Sequence, residues 1–127
     1  MKTKLALLPS ALLALTSFST PLAAHHGTAE YDFGRRITLM GTITCFDWSN
    51  PHTQVHIDVK DEKGNVVHWN LENQPPSILT HAGWTRNSLK PGDQVSILIS
   101  PAKNGSPVGL LSKVTFPNGE ELTPTEK

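Results

Sequence analysis

The stretch HTQVHIDVKDEKGNVVHWNLE, His52 to Glu72, decides the fold. Val55, Ile57 and Val59 alternate with polar residues, and so do Val67, Trp69 and Leu71. A period of two is the spacing of a strand with one buried face, not of a helix. Residues 61–65, Asp-Glu-Lys-Gly-Asn, supply the loop of a hairpin between the two runs. A register that sets Gln54 opposite Glu72 puts all six apolar side chains on one face. The other face then collects His52, Gln54, His56 and Asp58 from one strand and His68, Asn70 and Glu72 from the next. In that register Asp58 faces His68 and His56 faces Asn70, with paired neighbours about 5 Å apart.

The same pattern extends in both directions. An earlier strand is predicted over residues 36–48, with Gly41 as the place for a bulge or bend. Asn50-Pro51 turns the chain, because proline disfavours helix before it and donates nothing to a ladder. After the hairpin, Pro75-Pro76 opens a short helix that turns Ile78, Leu79 and Ala82 to the core and closes at Gly83. Strands follow at residues 94–100 and 109–116, and Pro117-Asn118-Gly119 folds back a final segment at residues 121–123. The predicted fold is therefore all-β: a small OB-fold-like antiparallel barrel of five to six strands, with one short helix between the third and fourth. It occupies residues 36–123, behind a leader at residues 25–35 and ahead of a frayed tail at residues 124–127.

The chain holds a single cysteine, Cys45, so no internal disulfide can form and the core alone must hold the domain. Cys45 falls in phase with Ile37, Leu39 and Ile43 and is expected to be a small buried hydrophobe. The 11 basic residues balance the 11 acidic ones, and the lysines are scattered. That distribution argues against nucleic acid as a partner. No glycine-rich phosphate loop, nucleophile elbow or His-Glu-x-x-His helix is present, which argues against an enzyme acting through protein groups alone.

Lys2 and Lys4 precede an apolar stretch over residues 5–15, the layout of a secretory signal, with Ala24 at the cleavage position. The stretch is too short to span a membrane. The expected product is soluble and periplasmic or secreted, and it begins His25-His26. A free α-amine titrating near about 8, beside two imidazoles near about 6.5, yields its protons readily to a transition metal. A nitrogen donor set favours copper(II). The predicted metal ligands are His25 and His26, completed by His52 or His56, since nine leader residues can reach back as much as roughly 30 Å. His52 and His56 lie about 13 Å apart along a strand, so one metal cannot take both without a bend, whereas His56 can approach His68 or Glu72. His81 is expected only to cap or pack its helix.

The anchors Ala24-His25-His26, Glu30-Tyr31-Asp32, Leu39-x-Gly41, Trp48-x-Asn50-Pro51-His52, Gly83-Trp84, the run from Ser88 to Asp93 and Asn118-Gly119 occur in an order that resembles exported bacterial proteins catalogued as domain of unknown function 6152. The resemblance spans essentially the whole chain after the signal and implies a signal peptide and a small β-barrel. It carries no activity. The chain departs from that pattern at Gly27, where serine is usual, and at Thr53-Gln54-Val55, where an aromatic residue is expected. Two functions follow as expectations: a periplasmic module binding copper(II), or a module docking another envelope protein through an aromatic rim of Phe46, Trp48 and the Asn50-Pro51-His52 turn, with His68, Asn70 and Glu72 completing the partner or ligand face. Copper oxidase or oxygenase chemistry on His25 is a third, remoter reading.

Overall fold

Strand β1, Ile37–Asp47, is long enough to serve both halves of a barrel. Its first half pairs with β4, Gln94–Pro101, from Ile37 opposite Ile99 to Thr42 opposite Gln94. Residues from Gly41 onward pair with β2, Gln54–Lys60. The two ladders overlap at Gly41 and Thr42, and at Gly41 the strands come so close that a Cβ would sit 2.2 Å from the Asp58 carbonyl oxygen. Gly41 is required by that close approach. The irregularity expected there lies further on, between Ile43 and Cys45.

The computed structural model describes residues 30–125. Strand β2 forms a hairpin with β3, Val66–Glu72, in the register that sets Gln54 opposite Glu72. Strand β4 pairs antiparallel with β5, Val108–Thr115. A parallel pairing of Asn70–Glu72 with Val108–Leu110 closes the ring in the order β3-β2-β1-β4-β5. The short β6, Glu121–Leu122, adds to the free side of β5. This is the expected OB-fold-like barrel, in which closure removes most of the exposed strand edge.

The helix α1, Pro76–His81, stands between β3 and β4 as expected. Leu79 is fully buried and Ala82 packs against the core, but Ile78 is 47% exposed. A helix of one and a half turns presents only a narrow stripe inward, which Leu79 fills. Gly83, at φ 86°, ends the helix in the left-handed conformation. Trp84 follows and is the largest fully buried side chain. Its indole N–H donates to the Thr123 carbonyl at 2.7 Å, fastening the C-terminal segment over the barrel. Val55, Ile57, Leu71, Ile97, Ile99 and Val114 fill the centre with no exposed surface. Among the described residues no helix is long and apolar enough to cross a membrane.

The shift between Ile43 and Cys45 reverses the phase of β1. Leu39 and Ile43 point inward before it, whereas Phe46 and Trp48 pack on the core after it. Cys45 therefore lies on the outer surface, exposed, instead of buried as the uninterrupted alternation predicts. One extra residue in one strand of a pair is the cause, because side-chain direction alternates with a period of two.

Candidate functional site

One end of the barrel carries a cleft of about 630 Å³. Its walls come from the β1–β2 turn, from β3, from the β4–β5 loop and from the segment that leads into β1. Pro51 and His52 stand on the first, Asn70 and Glu72 on the second, Lys103, Asn104 and Ser106 on the third, and Glu30 and Tyr31 on the last. The leading segment is stitched to the loop. Tyr31 bridges to Ala102, the Lys103 N–H donates to the Glu30 carbonyl at 2.9 Å, and the Asp32 N–H donates to the Pro101 carbonyl at 2.9 Å.

Glu72 is the hub of the cleft. The Tyr31 hydroxyl donates to its Oε2 at 2.7 Å, and His52 Nδ1 lies 3.2 Å from its Oε1. The carboxylate can only accept, so this approach favours the tautomer with the proton on Nδ1, which leaves Nε2 of His52 as the nitrogen open to a ligand. This carboxylate–histidine arrangement is the one that orients metal-binding imidazoles. Tyr31 is 6% exposed, and its acidity is suppressed first by burial and then by the hydrogen bond to Glu72 and the nearby negative charge. The Glu72 side chain is only 13% exposed, so its two partners replace much of the water it has lost.

Thr53 and Asn73 fix this geometry from below. The Thr53 hydroxyl, fully buried, donates to the Gln74 carbonyl at 2.9 Å, and the Asn73 N–H donates to the Thr53 carbonyl at 3.0 Å. The ends of β2 and β3 are thereby locked together where His52 and Glu72 project.

His56 does not join His52. It lines a second, shallower depression with Cys45, Asp58, His68 and Asn70, where His68 Nδ1 is bonded to Asp58. His81 bonds the Ser77 carbonyl within its own helix at 2.7 Å. Phe46 and Trp48 meet edge to face at 5.6 Å and pack against the core, with Phe46 also 6.0 Å from Trp84. Asn50 and Pro51 are exposed and joined by a cis peptide bond. His25 and His26 lie outside the described residues. Among the described residues no group of three or more histidine, cysteine or carboxylate side chains converges as a metal site.

Residues 13–113 match a family model, and the match covers most of the chain. The chain belongs to the family of unknown function DUF6152. No match was found among curated proteins or among solved structures. The cleft of this DUF6152 protein also takes in residues that sequence reasoning did not place in a site, among them Glu30 and Tyr31 of the leading segment and Lys103, Asn104 and Ser106 of the β4–β5 loop. The only sequence signal for Tyr31 is its place in the Glu30-Tyr31-Asp32 anchor, since its partner lies 41 residues away.

Proposed function

We propose that this protein is an exported, periplasmic binding module that holds a transition-metal ion, copper(II), at the cleft. His25 and His26 of the processed chain supply the α-amine and imidazole nitrogens, and His52 supplies Nε2. The observation that carries the reading is the Glu72-oriented His52 in a cleft whose wall includes Glu30. Glu30 follows His26 by only four positions along the chain, a span of at most roughly 14 Å. The adjoining wall is the β4–β5 loop, to which that segment is bonded. His56, lining a different depression, is not among the ligands in this reading.

Docking of an envelope protein through an aromatic rim is less well supported, since Phe46 and Trp48 turn toward the core. Titration with Cu(II) of the protein cleaved after Ala24, followed by d–d absorption and electron paramagnetic resonance, tests the reading. His25→Ala, His26→Ala and His52→Ala each weaken binding, and His56→Ala leaves it unchanged. Equal affinity in the His25→Ala/His26→Ala double variant, or no spectral change at all, overturns it.

A further inference from the structure

We infer that the outer face of the β1–β2 ladder carries a separate site for a soft monovalent cation of the copper(I) class, with Cys45 Sγ and a His56 imidazole nitrogen as its two donors. The site exists because of the register shift in β1. That shift moves Cys45 from the core side to the surface and pairs it directly with His56. Directly opposed residues hold their Cβ atoms about 4.5–5.5 Å apart on one face. A thiolate at about 2.3 Å and an imidazole nitrogen at about 2.0 Å from a metal need donors about 4 Å apart in a linear arrangement, a gap that two such side chains span.

The surroundings fit this cation. Thr44, Cys45, His56, Asp58, His68, Trp69 and Asn70 all contribute to one depression of about 400 Å³, so a ligand there is partly sheltered. Thiolate donors select copper(I) over hard divalent ions, and two donors suffice for it. His68 stands in the same depression, but it lies on β3 opposite Asp58, two strands from Cys45, whereas His56 is the direct ladder partner of Cys45, so His68 is not one of the donors. The neighbouring Asp58 carboxylate adds negative charge beside a cation. On binding, the Cys45 thiol releases its proton to solvent and the metal keeps its charge, so no electron donor or acceptor is needed. The site shares no donor with the cleft and stands whether or not His25, His26 and His52 bind copper(II).

Anaerobic titration with Cu(I) against a chromophoric chelator tests the site. Performing it in the full processed chain carrying His25→Ala, His26→Ala and His52→Ala silences the cleft. One copper(I) per monomer and a near-ultraviolet thiolate-to-metal band are expected. Cys45→Ser abolishes the band, and His56→Ala weakens binding by more than the 10–100-fold typical when only an outer partner of a ligand is lost. His68→Ala leaves affinity within about twofold, well inside the 1.4 kcal/mol that marks a tenfold change. Circular dichroism establishes that each variant is folded. Copper(I) binding that survives Cys45→Ser overturns the assignment, and so does binding lost with Cys45 but indifferent to His56, which marks a bare surface thiol. Half a copper per monomer with dimerisation on gel filtration also overturns it, because the metal then bridges two cysteines.

Discussion

Three side chains 20 and 41 residues apart in sequence, Tyr31, His52 and Glu72, meet because a leading segment, a turn and a strand end share one end of the barrel. Tyr31→Phe removes a hydrogen bond to a carboxylate, so a loss of about 1.5–3 kcal/mol is expected in urea unfolding. Glu72→Gln keeps the shape but weakens the hold on His52. Under the proposed copper(II) reading, affinity should fall by about 10–100-fold in titration, the usual cost of losing a partner behind a metal-binding imidazole. Tyr31 also gives the fold a pH signature. Its acidity is suppressed relative to the unperturbed value of 10.0, so above pH 10.0 the unfolded chain loses a proton that the folded chain keeps. The stability contributed by this hydroxyl is complete below pH 10.0 and declines as the pH rises beyond it. Unfolding free energies measured from pH 8 upward should show that decline in the wild type and a shallower one in Tyr31→Phe.

Strand β1 is the element whose reading separates sequence from structure. The β2–β3 hairpin was legible to its register, because unbroken alternation and a five-residue turn leave a single in-phase pairing that buries Val55, Ile57 and Leu71. The outward placement of His52, His56, His68 and Glu72 followed from the same alternation. In β1 an extra residue falls at Thr44, which nothing in its chemistry marks, whereas Gly41 drew the expectation of irregularity and instead serves close contact. Tyr31 was illegible for another reason. Its place depends on bonds to a loop some 70 residues later, which no local pattern encodes. Deleting Thr44 should remove the extra residue and join Ile43–Ile57 directly to Cys45–His56, leaving Phe46 and Trp48 inward, so the cost should stay below about 3 kcal/mol, the scale of losing one buried aromatic. Gly41→Ala should cost about 1–3 kcal/mol or more, because its methyl group meets backbone rather than a movable side chain. Thermal unfolding of both variants checks these values.

At the scale of the whole molecule, the two ends of the described chain are secured in different ways. The C-terminal segment is fastened through Trp84 to the Thr123 carbonyl and through β6 to the far end of β5. Trp84→Phe should release that fastening and speed amide exchange over residues 121–123, while the ring of five strands keeps its protection. The other end is stitched through Glu30 and Tyr31 to the β4–β5 loop, beside the cleft. Glu30 lines the cleft, so an affinity tag fused ahead of it joins the chain beside that cleft. Strand β5 places Val108 by the cleft and Thr115 beside β6, about 23 Å further along. Purification handles for this protein therefore belong after Lys127.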